Sequence, residues 1–293
     1  MARLAAVELG GTHALLALGE GTDIVERAAL KVAGPEPTLS AIAAQLKRWN
    51  DQQPIAALGI ASFGPIRVDP HAADFGRMLP TPKPGWSGAN LFERLAAAVS
   101  GPAALHTDVT AAALAEGRWG AARGCSDHVY ITVGTGVGVG VIAGGRPVTG
   151  LMHPEGGHLR LRRAAADGFK GNCPFHGDCL EGLISGPALA ARTGRDPALL
   201  PDEDPVWDGV ADALAEACAT LLLLLGSERI VVGGGVIRTR PGLLEVAAER
   251  CSALLGGYLP AVQEAAPIVP AMLDNAGLRG ALLLAAEKLS ERS

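Results

Sequence analysis

At 293 residues the chain is long enough for two ordinary domains, and 48 % hydrophobic with 19 % charged residues is a globular composition that supports a buried core. The balance is slightly acidic, net −5, with no Lys/Arg-rich block. That excludes the basic footprint of a nucleic-acid or anionic-membrane binder and points to small ligands or protein partners.

The apolar start "MARLAAVELGGTHALLALG" is broken by Glu8, a glycine pair and His13, so it does not read as a secretory signal, and a cytoplasmic location is expected. Within it "RLAAVEL" and "HALLALG" read as strands, followed by a strand at "DIVERAALK", a helix over 36–49 and a strand over 55–62, which is an α/β beginning. Residues 64–86 are Pro/Gly-rich and irregular, a candidate substrate loop. A helix at "ANLFERLAAAV", a strand at "AALHT" and an Ala-rich helix after Asp108 come next, then paired strands at "HVYITVG" and "GVGVIAGG". Beyond a Cys/His-rich loop lie a helix over 208–226, a strand and turn at "RIVVGGGV", and a last helix over 275–289. The apolar run "CATLLLLLG" is far below the roughly 20 residues of a membrane span and reads as a buried helix. Five cysteines, an odd number without an export signal, favour thiols or metal ligands over a disulfide framework.

A weak internal repeat links "VELGGTHALLALG" to "ITVGTGVGVGVIAG", with Gly10 matching Gly134 at an offset of 124 residues. Each copy reads strand, glycine-rich turn, strand, which suggests two related domains. Glycines permit positive φ and let backbone N–H groups approach an anion, so the turns read as phosphate cradles, or as plain hairpin turns without a ligand. A third glycine turn, "GGGV", follows at 233–236.

These motifs resemble the ROK family of sugar kinases across essentially the whole chain. "ELGGTH" is similar to the family's first phosphate loop, "TVGTGVGVG" to its second, "VVGGGV" to its adenosine-side turn and "TDVTAAALAEG" to the segment bearing the catalytic aspartate. "HPEGGH" followed by "CPFHGDCLEG" resembles the sugar and zinc signature. "SFGPI", "TPKPGW" and the Cys-x-x-His-x-x-Cys form are closest to the bacterial fructokinase branch. The resemblance implies a two-domain α/β fold of the actin-like ATPase (ribonuclease H-like) type, with sugar and ATP in the interdomain cleft. Residues 1–107 with the C-terminal helix 278–293 would form a small domain, and 108–277 a large one carrying a zinc loop at 158–181. Gly10, Gly11, Thr12, Gly134, Thr135, Gly136 and Gly234 are the expected ATP and phosphate groups, and a homodimer is implied.

Cys173, His176 and Cys179 are spaced three and three on a Pro/Gly-bearing loop, and His158 on the preceding strand would complete a tetrahedral set suited to Zn²⁺. Four protein ligands leave no open position, so the ion would be structural. A Cys173–Cys179 disulfide or free thiols with surface histidines are the other readings, and the compartment argues against the first. His153 is a possible substitute ligand, but the family's metal histidine matches His158.

Glu155 and Glu181 are tethered close to that cluster, where rigid acceptors can bind sugar hydroxyls. Each could otherwise be a solvated glutamate, and Glu181 a residue of a helix's first turn. The resemblance implies that both, with His158, contact the sugar. Asp108 stands between a strand and a helix, where an N-cap is the plain reading. The resemblance makes it instead the general base that takes the sugar hydroxyl's proton as that oxygen attacks the γ-phosphate of ATP, with Mg²⁺, Glu8 and Thr12 near the phosphates. His13 stands where the family often has Lys, and an imidazole with an ordinary pKa of about 6.5 weakens the positive charge there. Thr110 stands where the family often has Asn. The expected activity is phosphorylation of D-fructose to fructose 6-phosphate; the alternatives are a kinase for glucose, mannose or an N-acetylhexosamine, or a sugar sensor without catalysis. The family's repressors carry an N-terminal helix-turn-helix domain, for which residues ahead of the first turn leave no room.

Overall fold

The computed structural model describes residues 2–165 and 167–291. The first part of the chain forms β1 (Arg3–Leu9), β2 (His13–Glu20), β3 (Asp23–Lys31), α1 (Pro35–Gln52), β4 (Ala57–Ser62), α2 (Phe92–Ala96), β5 (Ala103–Thr107) and α3 (Asp108–Trp119). There follow β6 (His128–Val133), β7 (Val137–Ala143), β8 (Arg146–Pro147), α4 (Leu180–Ile184), α5 (Gly186–Thr193) and α6 (Val206–Leu225). The chain ends with β9 (Arg229–Gly233), α7 (Gly235–Arg238), α8 (Gly242–Leu255), α9 (Pro260–Ala265), β10 (Ile268–Pro270) and α10 (Ala276–Ser290). Two compact units result: Met1–Ala115, Val148–His153 and Leu273–Ser293 form one, Glu116–Pro147 and Pro154–Met272 the other.

Each unit is built on a five-stranded sheet, and the two sheets repeat one topology. In the first the order is β3-β2-β1-β4-β5, antiparallel between β3, β2 and β1 and parallel between β1, β4 and β5. In the second, β8-β7-β6-β9-β10 has the same sequence of two antiparallel and two parallel pairings. The repeat read from the glycine turns therefore aligns β1 with β6 and β2 with β7.

The run "RLAAVEL" is nearly continuous in apolar residues because β1, the central strand of a mixed sheet, is covered on both faces. Ala5, Val7 and Leu9 pack with Leu39, Ile42, Leu46 and Trp49, which recur at helical spacing on α1. Leu4 and Ala6 pack with Leu278, Ala281 and Leu282 of α10. Glu8 continues that second series, and its carboxylate lies so near Gly277 that a Cβ there would collide with it. Alternation along one strand thus directs a carboxyl group under the start of α10.

Two expectations change. The helix read over 89–99 is only Phe92–Ala96, because Asn90 accepts from Glu93 N–H through Oδ1 (3.3 Å) and donates through Nδ2 to Phe75 O (3.4 Å), tying the preceding residues into a turn. Residues 242–270 contain α8, α9 and β10, which were not separated in the sequence; β10 has three residues, too few to display alternation. Among the described residues no helix is long and apolar enough to cross a membrane.

Candidate active site

In the first unit the parallel strands β1, β4 and β5 end side by side, with Phe63 N–H donating to Leu9 O at 3.0 Å and Ser62 paired with Thr107. The carboxyl ends of parallel strands are where α/β sheets bind ligands. After β1 comes the turn Gly10–Thr12, closed by Gly10 N–H donating to His13 O at 3.0 Å, with Gly11, Thr12 and His13 exposed. After β4 come Phe63 and the irregular segment; after β5 comes Asp108.

The start of α3 decides between two readings of Asp108. Thr107 Oγ1 accepts from Thr110 N–H at 3.2 Å, the bond an N-cap makes, so Thr107 supplies the cap and Asp108 does not. Asp108 Oδ1 accepts from its neighbour Val109 N–H at 2.8 Å. Thr110 is buried, with its hydroxyl 2.8 Å from that of Thr107. Burial raises the Asp108 carboxyl above the ordinary aspartate range, opposed by the Val109 N–H and by the charge of Lys83. Glu8 is pushed up to about 7, first by burial and then by the Asp108 carboxylate, with the Leu278 N–H opposing. Two partly buried carboxyl groups thus act on each other at the strand ends, the environment in which one can keep or accept a proton near neutrality.

In the second unit the β6–β7 turn is closed by Gly134 N–H donating to Gly136 O at 2.9 Å. Glu181, in the first turn of α4, accepts from Val137 N–H through Oε2 at 3.0 Å, and the same oxygen would lie 2.8 Å from a Cβ on Gly136. Gly186 N–H donates to Gly134 O at 2.7 Å. Gly234 follows β9 at φ +94°, and a Cβ on it would collide with the backbone of Val133, so only glycine fits at the end of β6. Thr135 is exposed at the tip. The second and third glycine turns therefore meet within this unit.

The Cys/His loop gathers beside them. His158 does not lie on the expected strand: Gly156–His158 forms a helical turn pressed onto β7 so closely that a Cβ on Gly157 would collide with Val137 O. Cys173 and Gly177 exchange backbone bonds of 3.1 and 2.9 Å, and Leu180 N–H donates to Leu159 O at 2.9 Å. Arg163 holds Asp178 and Asp167, both at 2.9 Å, and Arg192 holds Asp167 at 2.9 Å, so ion pairs brace a loop with little apolar content. The ligand atoms of His158, Cys173, His176 and Cys179 lie within 4.8 Å of one another. His158 Nδ1 is 3.7 Å from Cys173 Sγ and 3.5 Å from Cys179 Sγ, and His176 Nδ1 is 3.8 Å from Cys173 Sγ. Metal–ligand bonds of about 2.0–2.3 Å give a tetrahedron with edges of about 3.3–3.8 Å, so this donor set fits zinc. All five cysteines are free thiols. Burial, with Cys173 and Glu181 adding to it, pushes the Cys179 thiol up to about 11, a cost that a bound cation would offset.

His158 turns Nδ1 to the thiols and Nε2 to Glu155, 4.0 Å away, the orientation of a metal histidine backed by a carboxylate. Glu155 is exposed. His153 is not part of the cluster: it is buried, and its Nε2 accepts from Ile66 N–H at 3.2 Å. Two residues of the first unit went unnoticed in the sequence. Thr107 was read as the last strand residue, and Lys83 as part of an irregular stretch.

A model of the ROK family matches residues 4–288, and the chain belongs to that family. Its two-sheet α/β architecture is the actin-like ATPase fold of the family's sugar kinases. A fructokinase from Pediococcus pentosaceus is 39 % identical over 288 residues, covering 96 % of this chain and 97 % of its own. The ROK hexokinase from Thermus thermophilus has a TM-score of 0.79 at 28 % identity, covering 99 % of each chain. A ROK glucokinase from Streptomyces griseus, solved with glucose and AMPPNP, has a TM-score of 0.73 at 26 % identity and covers 97 % of this chain and 99 % of its own.

Proposed function

We propose that this protein is an ATP-dependent hexose kinase whose substrate is D-fructose and whose product is fructose 6-phosphate. The observation that carries the reading is the start of α3: Thr107 caps the helix, which leaves Asp108 as a carboxylate of raised pKa at the strand ends beside Glu8 and the Gly10–Thr12 turn. Asp108 would accept the proton of the sugar's 6-hydroxyl while that oxygen bonds to the γ-phosphorus, and the bond from that phosphorus to the β–γ bridging oxygen breaks, its electrons leaving with ADP. Gly10, Gly11, Thr12, Gly134, Thr135 and Gly136 would cradle phosphates, and Gly234 would lie on the adenosine side. Magnesium bound with ATP would neutralise phosphate charge, with Glu8 and Thr12 nearby.

Glu155, His158 and Glu181 would hold the sugar hydroxyls. A structural zinc ion on His158, Cys173, His176 and Cys179 would fix them: His158 by its own ring, Glu155 through Nε2, and Glu181 through its place two residues after Cys179. Fructose over other hexoses is supported by the relative named fructokinase at 39 % identity over nearly the whole chain. The free thiols fit a cytoplasmic location, and the family resemblance supports a homodimer. The test is ADP release, with ATP and Mg²⁺, against fructose, mannose, glucose, N-acetylglucosamine and N-acetylmannosamine. Fructose should give the highest kcat/KM; release with none of the five would leave a binding protein without catalysis.

A further inference from the structure

The irregular segment after β4 contributes one side chain to the strand ends of the first unit. Lys83 lies in the turn "TPKPGW", where its N–H donates to Thr81 Oγ1 at 3.4 Å and its carbonyl accepts from Trp86 N–H at 3.2 Å. Trp86 is buried edge-on against Phe63, with ring centroids 5.1 Å apart, so the turn is anchored on the residue that follows β4. Lys83 Nζ sits 4.1 Å from the centre of the Phe63 ring, a cation–π contact that fixes the stem's direction. Its Cε lies 3.5 Å from where a Cβ on Gly11 would be, so the stem runs along the first glycine turn.

We infer that Lys83 is a further catalytic residue, whose ammonium group contacts the phosphoryl group during its transfer. This rests on the kinase reading above and names the cation that the same site requires. In phosphoryl transfer the three equatorial oxygens carry spread negative charge, and a positioned cation stabilises that state more than the ground state. The turn's own basic side chain is His13, whose Nδ1 is 3.2 Å from Thr12 Oγ1. Lys83 brings its ammonium group alongside Gly11 from the segment that follows β4, anchored by the buried rings of Phe63 and Trp86. Electrostatically it also faces Asp108, where it opposes the rise caused by burial, while Glu8 acts on the same pocket with the opposite sign.

Lys83→Met keeps an apolar stem over Phe63 and removes the charge, and Lys83→Arg keeps the charge. The expected outcome is a fall in kcat with fructose on the order of 10²-fold for Lys83→Met, a fructose KM within about threefold of wild type, and recovery of at least a tenth of wild-type kcat in Lys83→Arg. The acid limb of the kcat/KM profile should also move to higher pH in Lys83→Met, because Asp108 loses the charge that favours its ionised form. A Lys83→Met enzyme with kcat within twofold of wild type, or equal losses in Met and Arg variants with an unmoved acid limb, would overturn the assignment. A wild-type protein that phosphorylates no hexose would instead overturn the kinase reading itself, so the two failures are distinct.

Discussion

The two sheets share one topology and differ in what is placed beside their glycine turns. Next to Gly10–Thr12 the first unit sets side-chain charge: Glu8 and Asp108 at the strand ends and Lys83 arriving from the loop after β4. Next to Gly134–Gly136 the second unit sets backbone packing, with Gly186, Gly234 and Gly157 in close approach and Glu181 accepting from Val137 N–H. The connections differ accordingly. Residues 32–56 cross from β3 to β4 through α1, whereas residues 148–228 cross from β8 to β9 and include the Cys/His loop with α4, α5 and α6. A repeated scaffold supplies two hairpins, and chemistry is added where the copies diverge.

This contrast can be broken at four points, from the largest effect down. Asp108→Asn should lower kcat by roughly 10² to 10⁴ while sugar affinity and unfolding midpoint stay close to wild type; near-normal turnover would remove the base from the first unit. Protein prepared without chelator should contain about one zinc per chain. Cys179→Ser or chelation should then raise the fructose KM by roughly 10-fold or more while ATP affinity persists. Cys218→Ser and Cys251→Ser, on α6 and α8, should leave that KM unchanged, and a zinc-free active enzyme would contradict the fit of the four donors. Gly157→Ala, whose Cβ meets Val137 O, should cost about 1–3 kcal/mol by urea unfolding. Gly150→Ala, open on all sides, should fall within about 0.5 kcal/mol, and equal midpoints would refute the close packing.

The last point concerns Glu8, with an effect on stability of the same size as that of Gly157→Ala. Its folded value of about 7 lies above its ordinary 4.5, so the folded chain binds more protons than the unfolded one between those values. Stability therefore declines as pH rises through that window and stays reduced above it. Glu8→Gln in metal-free protein should gain roughly 1–3 kcal/mol over wild type at pH 8 and little at pH 4. A gain independent of pH would contradict the raised value.

What was legible in the sequence was local. Strand runs, the paired glycine turns and the Cys-x-x-His-x-x-Cys spacing depend on residues close in the chain, and the sheets and cluster contain them. Residues whose part depends on tertiary contact were not legible. Lys83 reaches Gly11 because Trp86 packs on Phe63, which no spacing within "TPKPGW" encodes. Position alone made Asp108 a cap, whereas the cap bond to Thr110 N–H comes from Thr107 Oγ1. His153, with the same chemistry as His158, is separated from it by a backbone bond to Ile66. α2 starts late because Asn90 bonds both to Phe75 O, far back in the chain, and to Glu93 N–H.

The most direct test of the central claim is the product itself. Purified protein with ATP, Mg²⁺ and D-fructose can be followed by ³¹P and ¹³C NMR, with Asp108→Asn in parallel. The expected result is a phosphate ester on the 6-carbon of fructose, formed mole for mole with ADP by the wild type and slowed by roughly 10² or more in the variant. Fructose left unmodified while ADP accumulates with another hexose, or an Asp108→Asn enzyme that forms the ester at the wild-type rate, would contradict it.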